Sequence, residues 1–397
     1  MTLSERRWRD VVFVRTLGTG SMDRYSQKLA EHLPVEKLDT DVYQRSAEFK
    51  KVAMLSVSSL RGFANDAGFI RRLRKLAAPL VHLPNHHLAR HGNFLGAQYV
   101  VTVHDLIRHF DAEGTRVFIH APNRRDRLCL RLDYLGIRKA AAIVSVSDTT
   151  RRDLVRFFGI PEQRIFVVHE GVDHSLFRPG EPQRLGHPYI LFVGSEHPRK
   201  NLATLLRAFA ALKCEPRFRD LKLLKVGAPG GREALFREQT LTVVRGLGLE
   251  REVVFTERVP DEDLVAFYSG AECLVLPSLY EGFGFPPLEA MATGCPAIVS
   301  TAGALPEVTG DAAVKVDPYD DAALAHAIAA VLDDEALRRE LRARGLEQAR
   351  RFSWERAARE TLRVYAALET IREEARALFP APAPADPLAA ASSRRLH

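Results

Sequence analysis

Short apolar runs recur along the chain, most ending at glycine, histidine, serine or proline, with amphipathic stretches between them. In the first half they are Val11–Arg15, Leu80–Leu83, Tyr99–Val103, Ala142–Val146 and Ile165–Val168. In the second half they are Tyr189–Val193, Leu221–Val226, Val253–Phe255, Cys273–Leu276 and Ala297–Ser300. Their length and β-branched content predict strands, while Asn201–Lys213 and Asp261–Ser269 carry helical patterns. Continuous apolar runs alternating with amphipathic helices predict an α/β protein whose parallel sheets are covered on both faces. The alternation occurs twice, giving two Rossmann-like doubly wound domains, 1–170 and 189–352, joined by a polar linker at 171–188. Residues 353–379 form a last helix, with Ser353 as its candidate N-cap. Residues 380–397, PAPAPADPLAAASSRRLH, are of low complexity and are expected to be a disordered tail.

Composition narrows the class. The 397 residues suffice for two or three domains, and 46% hydrophobic with 27% charged content is ordinary for a globular protein. No apolar run reaches membrane-spanning length, and the opening MTLSERRWRD does not predict a secretory signal. Cys129, Cys214, Cys273 and Cys295 lie far apart, as reduced thiols in a cytoplasmic protein would. The net charge of +7 favours anionic partners, but no aromatic-interleaved basic motif points to nucleic acid. Arg71, Arg72, Arg74 and Lys75 follow Phe63, Phe69 and Ile70. This stretch reads either as an interfacial helix on the inner face of an anionic membrane or as the solvated face of an ordinary helix.

The most informative stretch is 277–296, PSLYEGFGFPPLEAMATGCP. Glu281 and Glu289 bracket a Gly-Phe-Gly-Phe-Pro-Pro run that enters a helix; Pro286 and Pro287 suit its first turn, and Gly282 and Gly284 free the loop before it. Loop amides and a helix N-terminus converging on one point make a phosphate site. Carboxylates on either side suit a ligand with phosphate in its middle and hydroxyls at both ends, as in a nucleotide-sugar. A second signal is Gly194-Ser-Glu-His-Pro-Arg199-Lys200-Asn201, which leaves a strand and opens a helix. Cations at a helix N-terminus are unfavourable there unless a diphosphate neutralises them.

Glu281, seven intervening residues and Glu289 resemble the E-x7-E signature of the retaining GT-B glycosyltransferases of family 4, also known as glycosyltransferase group 1. The Arg199-Lys200-Asn201 segment is similar to the family's R-K-N. The resemblance implies a GT-B fold whose N-terminal domain binds the acceptor, whose C-terminal domain binds the nucleotide-sugar, and whose last helix crosses back onto the N-terminal domain. His104-Asp105, after a strand, looks like the family's His-Asp pair, in which the His contacts the donor sugar. Gly20, Arg24 and Tyr25 match the family's first loop, G-G-I-x-R-Y, while Ser21 departs from it. A dinucleotide fingerprint fails here because Asp23 stands where its third glycine is required.

The implied catalytic group is His104, Arg199, Lys200 and Glu281. The donor set adds Gly20, Gly194, Val259, Gly282, Phe283, Gly284, Phe285, Leu288 and Glu289, with Glu289 on the ribose. Acceptor candidates are Asp23, Arg24, Tyr25, Asn85, His86 and Asp105. Asp23 reads equally as a solvated residue. Ser147 reads as a helix cap, and the patch of His82, His86, His87 and His91 as an acceptor-lining loop or, by composition, a metal site. Asp261-Glu262-Asp263 resembles a metal motif of another fold but suits a helix N-terminus.

The expected activity is transfer of a hexosyl unit from a nucleoside-diphosphate sugar to a hydroxyl of a sugar, glycan or lipid-linked acceptor. It would proceed with retention and need no metal or other cofactor, in a monomer or homodimer. Rival readings are another GT-B enzyme (a sugar phosphorylase or nucleotide-sugar epimerase) and a non-catalytic sugar- or membrane-binding protein.

Overall fold

The computed structural model describes residues 8, 10–42, 57–114, 118–119, 122–230 and 233–378. The tail at 380–397 lies outside the described residues. The first sheet consists of β1 (Val11–Thr16), β2 (Glu36–Thr40), β3 (Leu80–Leu83), β4 (Gln98–Val103), β5 (Ala142–Ser145) and β6 (Ile165–Val167). The second consists of β7 (Tyr189–Val193), β8 (Lys222–Val226), β9 (Val253–Thr256), β10 (Cys273–Leu276), β11 (Ala297–Ser300) and β12 (Ala313–Val316). The strand orders are β2-β1-β3-β4-β5-β6 and β12-β11-β10-β7-β8-β9. All ladders are parallel, as alternating strands and helices require.

The central strands are buried on both faces, which is why their apolar runs are unbroken: β3, β5, β10 and β11 have no exposed position. The two strands not expected from the pattern are both edges. β2, Glu-Lys-Leu-Asp-Thr, has a single buried position, and β12, Ala-Val-Lys-Val, is short. Edge strands carry charge that masks the strand signal.

The strand order reverses beside β1 in the first sheet and beside β7 in the second. Loops leaving the carboxyl ends at such points form ligand crevices. Here the two crevices face each other.

The last helix, Trp354–Leu378, returns to the first sheet and packs on the Ser21–His32 helix. Ser353 Oγ accepts from Arg356 N at 3.2 Å, capping the helix start. Tyr365 joins His82 Nδ1 of β3 at 2.6 Å, with both side chains buried, so this anchor is internal. In the Val57–Lys75 helix, Phe69 and Leu73 are buried in the first sheet's core, while Arg71, Arg72, Arg74 and Lys75 face solvent. The basic run thus lies on the exposed face of this helix, opposite Phe69 and Leu73. No described helix is long and apolar enough to cross a membrane.

Candidate functional site

The two sheets meet around one cleft, a cavity of about 1480 Å³. Its walls come from the carboxyl ends of both sheets: Gly20 and Arg24 after β1, His104 and Asp105 after β4, and Glu170 after β6. From the other sheet come Gly194–Lys200 after β7, Gly227–Gly230 after β8, Arg258 and Val259 after β9, and Glu281–Phe285 after β10. The domains touch closely at Gly282, where a Cβ would lie 1.9 Å from the His104 carbonyl oxygen. Only glycine allows this approach. Glu307 adds a second bridge, accepting from Asp148 N of the first domain at 2.8 Å and meeting His169 Nε2 at 2.6 Å.

Arg199 and Lys200 occupy a short 3-10 turn, Pro198–Lys200. Asn201 follows in the left-handed region (φ 57°), so the Leu202–Lys213 helix starts one residue later than its pattern suggests. Asn201 holds the turn by donating to Pro277 O at 3.0 Å. Both cations converge on Glu281: Lys200 Nζ lies 2.8 Å from Oε1, and Arg199 Nη1 lies 2.8 Å from Oε2. Ser278 Oγ donates to the same Oε1 at 2.7 Å. Burial of Glu281 works against its charge, but Arg199 and Lys200 outweigh it and bring the carboxyl down to about 2. Burial also lowers Lys200, against the pull of Glu281. The result is two cations and one carboxylate at the foot of a glycine-lined loop.

That loop feeds the Phe285–Thr293 helix through Gly284, whose φ of 124° is closed to residues with a Cβ. Glu289, in the second turn, is buried. Its Oε1 accepts from Arg24 Nη1 and its Oε2 from the Tyr268 hydroxyl at 3.0 Å. Arg24 also donates to Asp261 at 2.7 Å. Burial opposes the charge on Arg24, and Glu289 and Asp261 more than restore it.

His104 is buried, with Nδ1 2.8 Å from Glu170 Oε1 and Nε2 2.9 Å from Pro84 O. Burial would lower its pKa; Glu170 and the Pro84 carbonyl raise it above its ordinary value. Farther along the N-terminal wall, His87, Asp105, Arg108, Asn123 and Asp126 present polar groups, with Ile107, Ile119 and Leu130 between them. Hydroxyl-rich ligands suit such a mixed wall.

Residues 175–350 match the family described as "Glycosyl transferases group 1", and residues 22–176 match "Glycosyltransferase Family 4". The chain belongs to glycosyltransferase family 4. This family 4 glycosyltransferase is 36% identical over 254 residues to the O-antigen chain mannosyltransferase B of Escherichia coli, covering 62% of the chain and 65% of that protein. It is 35% identical over 247 residues to the D-inositol 3-phosphate glycosyltransferase of a Nocardioides species, covering 58% of the chain and 54% of that protein. The chain thus matches less than two thirds of the length of either relative. Among solved structures, the sucrose-phosphate synthase of Thermosynechococcus elongatus superposes with a TM-score of 0.71 at 22% identity, covering 92% of the chain and 100% of that protein. The shared architecture is the two-domain GT-B fold.

The structure corrects the placement of several residues in this family 4 glycosyltransferase. Asp23 turns back to accept from Gly20 N at 3.1 Å, a capping contact at the start of the Ser21–His32 helix, and does not line the cleft. Tyr25 is fully buried, with its hydroxyl 3.1 Å from Thr102 Oγ1 and its ring edge-on to His104. Asn85 is buried and caps the His86–Leu88 turn by accepting from His87 N at 2.9 Å. His86 is buried against His87 and His104, and Leu288 is a core residue of the second domain. Each of these leaves the cleft because its side chain satisfies the backbone or fills the core. Arg24 remains in the cleft but turns to the second domain, where it meets Glu289 and Asp261. Of the histidine patch only His87 lines the cleft, and no group of three or more His, Cys, Asp or Glu among the described residues is arranged to hold a metal. Asp261, Glu262 and Asp263 form the first turn of the Asp261–Gly270 helix, and Ser147 caps the Asp148–Phe158 helix by accepting from Thr150 N. Gly20, Gly194, Val259, Gly282, Phe283 and Phe285 line the cleft beside the charged cluster. Glu170 was not among the expected residues, although it follows a strand end as His104 does.

Proposed function

We propose that this cleft transfers a hexosyl unit from a nucleoside-diphosphate sugar to a hydroxyl acceptor with retention of anomeric configuration and without a metal ion. One observation carries the reading. Arg199 and Lys200, from the loop after β7, converge with Glu281, from the loop after β10, at the helix N-terminus behind Gly284. A diphosphate competes with Glu281 for these cations, and the loop amides and helix dipole complete its counter-charge. Displaced, the Glu281 carboxylate turns to the hydroxyls of the donor sugar. Glu289 exchanges Arg24 for the ribose diol.

The anomeric C–O bond to phosphate breaks with its electron pair moving onto the diphosphate. The acceptor oxygen then bonds to the anomeric carbon from the same face, and its proton passes to a phosphate oxygen. Charge developing on the leaving group is met by cations already in place, which is where most of the acceleration arises. The mixed polar and apolar wall at Asp105, Arg108 and Asn123 receives an acceptor of sugar character. The mannosyltransferase relative supports a hexosyl donor.

The test is release of nucleoside diphosphate from UDP-glucose, GDP-mannose and UDP-N-acetylglucosamine, with EDTA present and with or without inorganic phosphate. Turnover of one donor in EDTA, independent of phosphate, is expected. Loss of turnover in EDTA removes the metal-independent reading, and a strict need for phosphate makes the protein a phosphorylase.

A further inference from the structure

The imidazole of His104 has no polar atom left for a substrate. Its Nε2 lies 2.9 Å from Pro84 O, a carbonyl that can only accept, so Nε2 donates there. Its Nδ1 and Glu170 Oε1, 2.8 Å apart, share one proton. Both ring nitrogens are therefore committed to the protein, and Tyr25 lies edge-on against the ring.

Glu170 is different. It is buried, yet it lines the cleft. Only its Oε1 has a hydrogen-bond partner among the described residues, and its Oε2 is not among the enclosed polar atoms left without one, so Oε2 keeps some exposure. The polar atom that this pair presents to the cleft is thus Glu170 Oε2. Its location follows from the backbone: His104 O would touch a Cβ at position 282, so the pair abuts the Glu281–Phe285 loop. In the reading given above, on which this inference rests, that loop holds the donor sugar.

We propose that Glu170 contacts the donor sugar and supports the positive charge that develops at its anomeric carbon, with His104 as the positioning residue that fixes the carboxylate. A negative group placed beforehand next to a forming oxocarbenium ion stabilises the transition state more than the ground state. Glu170 neither gains nor loses a proton in the step. The C–O(phosphate) pair leaves with the diphosphate, the acceptor oxygen bonds to carbon, and the acceptor proton goes to phosphate. Oε2 stays a hydrogen-bond acceptor for a sugar hydroxyl throughout.

Glu170→Gln is the decisive variant, because its amide can still meet Nδ1 while the charge is gone. With the nucleotide-sugar that the wild type consumes, kcat is expected to fall at least about 100-fold while donor KM changes little. Binding of UDP and GDP, which reports on the cation cluster and not on the sugar, is expected to match the wild type. Glu170→Asp keeps the charge and is expected to retain more kcat than Glu170→Gln. A Glu170→Gln kcat within a few-fold of wild type overturns the inference, as does a Glu170→Asp kcat no better than that of Glu170→Gln. A wild type that releases no nucleoside diphosphate from any donor overturns the proposed function as well. Turnover by the wild type beside a fully active Glu170→Gln overturns only the role of Glu170.

Discussion

Arg24 and Glu289 meet across the cleft although 265 positions separate them in the chain. Arg24 belongs to the Ser21–His32 helix of the first domain and Glu289 to the Phe285–Thr293 helix of the second. Asp261 takes the other arm of the same guanidinium. This contact ties the two halves together and occupies the carboxylate assigned to the donor ribose.

Removing that tie should loosen the protein. Arg24→Ala leaves a buried Glu289 with Tyr268 as its remaining partner, at a cost of about 2 kcal/mol for a lost charged hydrogen bond. Denaturant unfolding should report the loss, and small-angle scattering should show a larger radius of gyration. An unchanged radius would mean that other contacts set the closure.

Lys200→Ala should lower turnover by about 100-fold or more, the scale seen when one donor to a developing anion is lost. Glu281 keeps Arg199 and Ser278, so the circular dichroism spectrum and melting temperature should stay close to wild type. Near-normal release of nucleoside diphosphate in this variant would refute the phosphate role.

Glu281 sits at about 2 in the fold against an ordinary 4.5. A carboxylate with a depressed folded pKa contributes stability that is complete above its ordinary value and drains away as the pH falls toward its folded one. The melting temperature of the wild type should therefore drop more steeply between pH 4.5 and about 2 than that of Glu281→Gln. Thermal melts across this window check the slopes, and parallel curves would contradict the ion-pair picture.

Gly282→Ala adds a methyl where the His104 carbonyl lies 1.9 Å away. The domains must then part by about an ångström or more, and a misplacement of that size can cost about 100-fold in rate. Turnover is expected to collapse while binding of UDP or GDP persists. Full activity would show that the two loops separate during catalysis.

The charged cluster proposed to bind phosphate was legible in the sequence because it is local. Arg199, Lys200, Glu281 and Gly284 lie in two short runs whose glycines, prolines and charges have a meaning by themselves. The first domain's side of the cleft was less legible. Asp23, Tyr25 and Asn85 are residue types that bind ligands and also cap helices or fill cores, and the choice depends on neighbours brought in by other strands. Glu170 was missed because it is the last residue of the first domain, directly before the polar stretch at 171–188 read as a linker. The rule that pointed to His104, a polar residue just past a strand end, would have found it.

The chain's own pattern determined the two parallel sheets, since apolar runs of strand length between amphipathic helices admit few other arrangements. It also determined the conformation of the glycine- and proline-bearing loops proposed to bind phosphate, because glycine and proline constrain the backbone wherever they stand. Tertiary structure alone decided which face of each side chain meets the cleft, and it brought Arg24 to Glu289 and Glu170 to His104. Those pairings depend on two domains closing against each other, a long-range geometry that no local spacing encodes.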